Sequence, residues 1–360
     1  MYKFVWEQRT SFYIGLKINI YRKIFGVLLL ITINLINGCS KESNPVTPTK
    51  SLGTESSYPG WTIYDYENIV PNGMTFMRND NNGNIWFGVR NPVDYSFVSF
   101  DGRAKLNTYS LDGIGYKSNL ITDFTFDSKN NLIIGTIDSG VIISNGTKRT
   151  IYNRNNSDLE LDGVSVIAVD SKQNIWAGGN EGLAKFDGTK WQLFQKTPEG
   201  VPLSSIIKIL PDKKGNICVE SFDSVFFYSK YDGNTWKTYF IPASINVSFD
   251  AAALDSKGNL WLTGGNAIMK FEGSVCTKYN CTISGLSDEF FNSMAIDSHD
   301  NIWLGAYHGL VKFDGVNWKI YDKSNSGLPN TRSIHVTIDK NDNLWMFSGN
   351  KIVRFHDQEK

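Results

Sequence analysis

Hydrophobic and polar positions alternate along this chain in short runs that recur with one period. Each run holds four to six residues, is rich in β-branched and aromatic side chains, and is bounded by Gly, Asn, Asp or Ser. This pattern is typical of short antiparallel strands. The sixth copy is the clearest and predicts strands at 293–297, 301–305, 309–315 and 318–321. We name these four strands a, b, c and d, in chain order.

The period is set by the Asn that opens strand b. This residue recurs at Asn84, Asn131, Asn174, Asn216, Asn259, Asn301 and Asn343. By subtraction of these positions, the intervals are 47, 43, 42, 43, 42 and 42 residues. A period in the low forties with four short strands in each repeat is the signature of propeller blades. The sequence therefore predicts an all-β fold, a seven-bladed β-propeller.

The two ends of the repeat array complement each other. The seventh copy has a strand c at 351–355 but lacks a strand d, whereas an unassigned strand d at 61–64 precedes the first copy. We expect this N-terminal strand to pair with the last blade, which ties the ends together and leaves the ring without an open edge. The predicted propeller domain is 61–357.

Tryptophan is tied to the repeat in the same way. Nine of the ten tryptophans fall in two slots, which are Trp86, Trp176, Trp261, Trp303 and Trp345 in strand b and Trp61, Trp191, Trp236 and Trp318 in strand d. Side chains at repeat-fixed positions are expected to pack one blade against the next, and not to form platforms for a ligand.

The turn from strand a to strand b carries a recurring Asp, found at Asp127, Asp170, Asp255, Asp297 and Asp339. Asp can accept hydrogen bonds from the backbone of its own turn, and a following Gly or Asn tolerates positive φ. A calcium loop is the alternative, but it needs several oxygen ligands that converge within one loop. We therefore interpret these residues as turn-forming and expect no metal and no cofactor.

The copies resemble the two-component regulator propeller repeat. That repeat has the approximate pattern Gly-Leu-Pro, a strand ending in Asp, Gly-Asn-(Ile/Leu)-Trp-(Ile/Leu)-Gly-Thr, and Gly-Gly-Leu-x-(Arg/Lys)-(Phe/Tyr). The matching segments here are 327–329, 338–339, 301–305, 309–313 and 174–186. The resemblance covers 61–357, although copies one, two and four are degenerate and place Ile133 and Cys218 in the strand b Trp slot.

The resemblance implies a sensory role outside the cytoplasm. Propellers of that family often form the periplasmic half of hybrid histidine kinases, where the input is frequently a glycan fragment. We expect this chain to hold a single ring, with no immunoglobulin-like domain and no kinase. The resemblance therefore implies the propeller fold and ligand binding outside the cytoplasm for this chain, but not signal transduction within it.

The N-terminus resembles a bacterial lipoprotein signal. Arg22 and Lys23 precede a mostly apolar stretch at 24–36, and Asn37 and Gly38 then precede Cys39. We predict a signal peptide at 1–38 and lipidation of Cys39, which would anchor the protein in the membrane. An uncleaved anchor or a plain signal peptide is the alternative.

A flexible tether is predicted at 39–60, because this stretch is rich in Ser, Thr, Pro, Lys and Glu and nearly free of large apolar residues. The predicted location is the cell envelope, lipid-anchored to the outer membrane, and either periplasmic or surface-exposed. The 36 basic and 36 acidic residues balance, and no basic run is present. Nucleic acid is therefore excluded as an expected partner.

The three cysteines after Cys39 differ in context. Cys218 sits in the strand b Trp slot and is expected to be a small, buried apolar residue. Cys276 takes the strand d Trp slot and Cys281 follows it. A disulfide between Cys276 and Cys281 needs a chain reversal, because bridged Cα atoms lie about 4.4–6.8 Å apart, and we leave both possibilities open.

Candidate site residues come from departures from the repeat. Strand directions place the b-to-c and d-to-a loops on one rim, where functions are usually grafted. Conspicuous rim residues are Arg90, Tyr95, Tyr116, Asp138, Glu181, Asp223, Tyr307, His308 and Arg332. One slot of strand a adds Asp123, Lys208 and His335 as channel candidates.

We predict a ligand-binding propeller whose rim binds a glycan or an envelope protein, without catalysis. The acidic, aromatic and Arg side chains of the rim suit a hydroxyl-rich ligand. An adaptor subunit of a surface complex is the alternative. A second alternative follows from a fold-level resemblance to streptogramin lyases, in which His308 and Glu181 would act as an acid/base pair.

Overall fold

The structure, a computed structural model, describes residues 53–65, 74–90, 95–103, 106–110, 121–223, 225–240, 251–264, 267–273, 275–280, 291–306, 309–329, 335–349 and 351–357. Every regular element in these ranges is a β-strand. Cys39 and the predicted signal peptide lie outside them. Within the described part of the chain, no helix is long and apolar enough to span a membrane.

The strands fall into groups of four along the chain. The first ten are β1 (Thr54–Glu55), β2 (Trp61–Asp65), β3 (Met74–Asn79), β4 (Ile85–Arg90), β5 (Tyr95–Phe100), β6 (Leu106–Ser110), β7 (Ile121–Phe126), β8 (Leu132–Thr136), β9 (Val141–Ser144) and β10 (Arg149–Tyr152). The next eight are β11 (Val166–Val169), β12 (Ile175–Gly178), β13 (Leu183–Phe186), β14 (Trp191–Phe194), β15 (Ile206–Pro211), β16 (Ile217–Asp223), β17 (Val225–Tyr231) and β18 (Trp236–Phe240). The last eleven are β19 (Ala252–Leu254), β20 (Leu260–Gly264), β21 (Ala267–Glu272), β22 (Val275–Asn280), β23 (Phe291–Ile296), β24 (Ile302–Ala306), β25 (Leu310–Phe313), β26 (Trp318–Tyr321), β27 (His335–Ile338), β28 (Asn343–Ser348) and β29 (Lys351–His356).

These strands form seven antiparallel sheets, which are the blades. Blades 1 to 6 each contain four consecutive strands, from β3–β6 in blade 1 to β23–β26 in blade 6. The first strand of each blade contacts the first strand of the next around the whole ring, and β27 of blade 7 contacts β3 of blade 1. The first strands therefore surround the central channel. The predicted seven-bladed β-propeller is confirmed.

Blade 7 closes the ring with strands from both ends of the propeller. Its sheet has the order β1-β2-β29-β28-β27, and β2 pairs antiparallel with β29 from Trp61 opposite Phe355 to Asp65 opposite Lys351. The rings of Trp61 and Phe355 stack with centroids 4.2 Å apart. The predicted closure by an N-terminal strand is confirmed.

A fifth strand, β1, lies at the outer edge of blade 7. Thr54 pairs with Ile63, and Glu55 pairs with Thr62. The sequence assigned these positions to the tether at 39–60, so the end of that segment belongs to the sheet. Sequence patterning missed β1 because two exposed polar residues carry no hydrophobic alternation.

The apolar core is distributed around the ring as seven clusters, one at each blade interface. Between blades 3 and 4, for example, Trp176 and Leu183 pack against Ile206, Ile217 and Trp236. The repeat-fixed tryptophans thus pack between blades, as predicted. Burial of aromatic surface between sheets is the main stabilisation available to this fold.

Close packing between blades also explains a Gly at the end of strand b. At Gly178, a Cβ would lie 2.4 Å from the Cγ2 atom of Ile206 in the next blade. At Gly135, it would lie 2.8 Å from Val164. A larger residue in this slot therefore requires the neighbouring blade to be arranged differently.

The cysteines differ as their contexts suggested. Cys218 is buried in β16, and desolvation raises the pKa of its thiol to about 12, so the thiol is unreactive. Its predicted role as a small apolar residue is confirmed. Cys276 is exposed in β22. Cys281 lies outside the described residues, so a pairing between the two stays a hypothesis.

Candidate ligand-binding face and channel

The antiparallel strands give the propeller two different faces. The a-to-b and c-to-d turns lie on one face, which we call the turn face. The b-to-c hairpins and d-to-a loops lie on the other, which we call the rim. Each strand of a blade reverses the direction of the one before it, so this division holds for every blade.

On the turn face, the recurring Asp is fully used by its own turn. Asp170 accepts hydrogen bonds from the backbone N–H groups of Lys172 and Asn174, both at 2.9 Å. Its second oxygen accepts from Asn174 Nδ2 at 2.7 Å and from Trp176 Nε1 at 2.8 Å. The same Asp-to-Asn bonds occur in all seven blades, at Asp80, Asp127, Asp170, Asp212, Asp255, Asp297 and Asp339. The interpretation of these residues as turn-forming is confirmed.

The basic residue of strand c stacks on the tryptophan of strand b. Lys185 and Trp176 are directly paired across β12 and β13, and the Lys185 Nζ lies 5.5 Å from the ring centroid. The same cation–π arrangement recurs at Trp261, Trp303 and Trp345. The Arg/Lys position of the repeat is therefore structural.

The turns of neighbouring blades are also joined by side chains. Asn130, Gln173, Asp300 and Asp342 have positive φ values between 58° and 67° at one turn position. The side chain of each accepts a backbone hydrogen bond from the preceding blade's turn. These inter-blade bridges compensate for the strain of a non-Gly residue in the left-handed region.

Five of the predicted rim residues lie in the described ranges, and three of them, Asp138, Glu181 and Asp223, are acidic. Asp138 and Asp223 are exposed, whereas Glu181 is half-buried. The Oε2 atom of Glu181 is buried and has no hydrogen-bond partner. The backbones of Arg90 and Tyr95 are paired at the ends of β4 and β5.

The other rim candidates are not placed by the structure. Tyr116, Tyr307, His308 and Arg332 lie outside the described residues. The proposed acid/base pair of His308 and Glu181 therefore stays a hypothesis.

Backbone hydrogen bonds link the acidic rim segments into one arc. The N–H of Val164 donates to Thr136 O next to the Asp138 hairpin, at 2.8 Å. The N–H of Ile206 donates to Gly179 O next to Glu181, at 3.0 Å. The N–H of Phe222 donates to Ser204 O, at 3.4 Å. Blades 2, 3 and 4 thus present consecutive acidic hairpins.

The channel wall of blades 1 to 5 contains a cavity of about 480 Å³, lined by first-strand residues that include Arg78, Asp123 and Lys208. This volume lies within the usual range for small-molecule pockets. Two of the three predicted channel residues, Asp123 and Lys208, therefore line one cavity.

Asp123 is held in the wall by three donors from blades 1, 2 and 3. The Arg78 guanidinium lies 3.0 Å from its Oδ1 atom, and the N–H groups of Phe124 and Ile167 donate at 2.9 and 3.2 Å. Burial raises the pKa of Asp123 above its usual value, and the charge of Arg78 opposes this rise. The carboxylate thus connects three blades behind the cavity.

Lys208 is paired with a buried carboxylate. Its Nζ atom lies 3.2 Å from Oε2 of Glu220, whose side chain has no exposed surface. Burial, together with the charge and the hydrogen bond of Glu220, raises the pKa of Tyr228 well above its usual value. Lys208, Glu220 and Tyr228 therefore form one polar network in blade 4.

His335, the third channel candidate, begins β27 in blade 7 and is exposed. Desolvation by neighbouring atoms lowers its pKa below the usual value, which favours a neutral ring at neutral pH. It does not line the cavity of blades 1 to 5. His335 therefore lies on a first strand, as Asp123 and Lys208 do, but it does not share their cavity.

Sequence reasoning missed the two partners that complete these ion pairs. Glu220 stands where four other blades have Gly, at Gly88, Gly135, Gly178 and Gly305. Arg78 stands where the other blades have Thr125, Ala168, Leu210, Ala253, Ala295 and Thr337. A search of strands a and b for charges in apolar or Gly slots would have found both residues.

The fold places this protein in the class of seven-bladed β-propellers. No family model matches the chain, and no curated protein matches its sequence. Solved structures match at low identity. Virginiamycin B lyase from Staphylococcus aureus shares 11% identity with a TM-score of 0.63, covering 82% of this chain and 98% of the other.

Two further neighbours are larger proteins. The extracellular domain of a putative hybrid two-component system from B. thetaiotaomicron shares 18% identity with a TM-score of 0.62, covering 83% of this chain and 41% of the other. PorZ of Porphyromonas gingivalis, a surface component of the type-IX secretion system, shares 16% identity with a TM-score of 0.56, covering 85% and 46%. The chain thus spans less than half the length of both.

These neighbours and the ring of seven blades fit the resemblance to the two-component regulator propeller repeat. At 18% identity and below, the likeness establishes the fold. It assigns neither a ligand nor a reaction to this chain.

Proposed function

We propose that this protein is an envelope-anchored propeller that binds a glycan or a protein partner at its rim and channel, without catalysis. The observation that carries the proposal is the contrast between the faces. The turn face repeats one hydrogen-bond pattern in seven blades, whereas the departures from the repeat cluster at the rim and channel of blades 1 to 4. Functions grafted on a repeat scaffold are expected at such departures.

The proposed location outside the cytoplasm is supported by the lipoprotein-like segment before Cys39 and by the extracellular domains among the neighbours. Lipidation is tested by labelled palmitate, which should enter the wild-type protein and not a Cys39→Ser variant. Protease added to intact cells then separates a surface-exposed protein from a periplasmic one. Label in the Cys39→Ser variant would contradict the proposed anchor.

Ligand binding is tested with a glycan array, followed by calorimetry on the purified protein. We expect saturable binding of at least one hydroxyl-rich glycan. Asp138→Asn and Glu181→Gln should weaken it, because both side chains lie on the acidic arc. Asp187→Asn on the turn face is the matched control and should bind like wild type. Equal loss in all three variants would contradict a rim site.

A structural subunit of a surface complex is the second candidate. Ile137 and Val225 support it, because their side chains are 52% and 48% exposed in the rim hairpins of blades 2 and 4, and exposed apolar side chains suit protein contacts. This role would be favoured if no glycan on the array binds and if an envelope protein binds the wild type but not the Ile137→Asp variant. Turnover of a lactone or glycan, lost in Glu181→Gln, would contradict both candidates.

A further inference from the structure

Two ion pairs with buried carboxylates lie in the channel wall, and the repeat pattern requires neither of them. Arg78 and Asp123 join blades 1 and 2, and Lys208 and Glu220 join strands β15 and β16 of blade 4. Removing charges from water is expensive, and well-packed apolar residues are often at least as stable as a buried pair. Other blades fill the slots of Arg78 and Glu220 with small or apolar residues, so ring stability alone does not account for the charges.

Both pairs have the same orientation relative to the cavity. The carboxylates are hidden, with side-chain exposures of 5% for Asp123 and 0% for Glu220. The cations remain partly exposed, with 45% for Arg78 and 22% for Lys208. Arg78, Lys208 and Asp123 all line this cavity, but because the carboxylates are almost fully buried, a molecule that enters it meets mainly the cations.

Arg78 also keeps donors for a ligand. Arg78 uses its two terminal nitrogens toward Asp123 and Met77 O, but a guanidinium has five N–H groups. Lys208 donates to Glu220, and its partly exposed side chain presents its positive charge to the cavity. Carboxylates placed behind a cation orient it, as outer partners do around other binding groups. Asp123 and Glu220 are therefore positioning residues.

We propose that this cavity binds a small hydroxyl-bearing carboxylate, whose carboxylate group accepts hydrogen bonds from Arg78 and Lys208. This inference rests on the proposed function and specifies the ligand chemistry of the channel. Charge-assisted hydrogen bonds from Arg and Lys favour carboxylates over neutral acceptors. Thr125 and Ser165 also line the cavity, and their hydroxyls suit the hydroxyl groups of such a ligand.

Calorimetry on the purified protein tests the ligand class with four probes, D-glucuronate, D-gluconate, D-glucose and acetate. We expect D-glucuronate or D-gluconate to bind at least tenfold more tightly than D-glucose and acetate. The ring and open-chain acids distinguish two sources of the same chemistry. Equal affinity for D-glucose and both acids would overturn the inference, and so would equal affinity for acetate.

Variants test the assigned residues. Arg78→Gln and Lys208→Met should each lower the affinity for the acid at least tenfold and leave any binding of D-glucose unchanged. Glu220→Gln should reduce the preference for the acid over D-glucose, which a merely structural role would not change. Arg154→Gln is the matched control, because Arg154 is an exposed rim cation paired with Asp162, and it should bind like wild type.

Lys208→Met leaves a buried carboxylate without its cation, so the variant can fail to fold. The double variant Lys208→Met, Glu220→Leu removes both charges and keeps apolar packing. It should unfold near the wild-type temperature and still lose the preference for the acid. A retained preference in this folded variant would overturn the inference.

The outcome also separates this inference from the proposed function. If a glycan binds at the rim and the channel variants bind it like wild type, without preference for an acid, the channel assignment is wrong and the proposed function stands. If the probes bind in the channel while the glycan array and the partner assays are silent, the rim function is wrong and the channel assignment stands.

Discussion

The two faces of the propeller treat charge in opposite ways. On the turn face, a carboxylate recurs in every blade, and the N–H groups of its own turn satisfy it, as at Asp170. In the channel wall, Asp123 and Glu220 each occupy a slot that is not acidic in the other blades, and each is paired with a cation that remains partly exposed. The carboxylates that recur in every blade are therefore part of the fold, whereas the costly ion pairs of the channel wall are not explained by the fold.

Opening the ring should have the largest effect, because it disturbs both faces. Removal of residues 53–65 deletes β2, which pairs with β29 over five residues. Trp61→Ala alone should cost about 3–5 kcal/mol in the free energy of unfolding, as for other buried aromatic truncations. Urea denaturation followed by tryptophan fluorescence measures the loss.

Trp318→Ala is the matched control for Trp61→Ala. Trp318 occupies the equivalent slot of blade 6 but is only partly buried, and it closes no ring. Its replacement should cost less. An equal or larger loss in Trp318→Ala would show that closure adds nothing to the packing of this slot.

Acid should destabilise the turn face next, because it protonates several carboxylates together. Burial opposes the change, but hydrogen bonds from Asn84 and Trp86 lower the pKa of Asp80 below its usual value. A hydrogen bond from Thr189 and backbone donors lower the pKa of Asp187 to about 2. Since a lowered folded-state pKa adds stability above the ordinary value of 3.8 and loses it as pH falls through the folded value, the melting temperature should fall from about pH 4 to pH 2.

Asp123 in the channel wall is expected to change the stability in the opposite direction as pH falls. Burial raises the pKa of Asp123 despite Arg78, so its ionisation costs stability as pH rises. Circular dichroism melts at pH 5, 4, 3 and 2 measure the sum. A melting temperature that is constant or rises toward pH 2 would contradict the dominance of the turn face.

A single turn-face carboxylate should have a smaller effect than the full acid transition. Asp170→Ala removes the acceptor of four N–H groups and leaves the buried Nε1 of Trp176 unpaired, which should cost about 3 kcal/mol. Asp127→Ala should cost less, because Ile133 replaces the tryptophan in that blade. Urea denaturation measures both. Asp170→Ala should leave ligand binding unchanged. A selective loss of binding would contradict a purely structural role of the turn face.

The inter-blade bridge at Asp300 should give the smallest effect. Asp300 has a φ of 64°, and its carboxylate accepts from Ser256 N and Ser256 Oγ at 2.8 and 2.7 Å. Asp300→Ala loses both bonds and keeps the strain, whereas Asp300→Gly loses the bonds and relieves it. The Gly variant should therefore be more stable than the Ala variant by about 1 kcal/mol. The reverse order in urea would contradict the strain at this turn.

The sequence predicts the repeated part of this molecule well and the unique part poorly. Blade number, the Trp slots and the closing strand at Trp61 all follow from a period, since each copy supports the reading of the others. The Arg78–Asp123 pair joins two blades. A comparison of equivalent positions in the repeats does not reveal such a contact, because its two residues lie in different slots of different copies. Lys208 was found as a channel residue, but Glu220 lay hidden in a slot that is usually Gly.

The pairing of β2 with β29 has a consequence for how the chain reaches its native state. Trp61 pairs with Phe355, which follows it by 294 positions, so β2 has no partner in blade 7 until the six intervening blades have been synthesised. Contacts of such long sequence separation form late and slowly. Until then the waiting strand exposes an unpaired edge that other chains can bind. During synthesis, the first strand therefore needs protection more than any later segment.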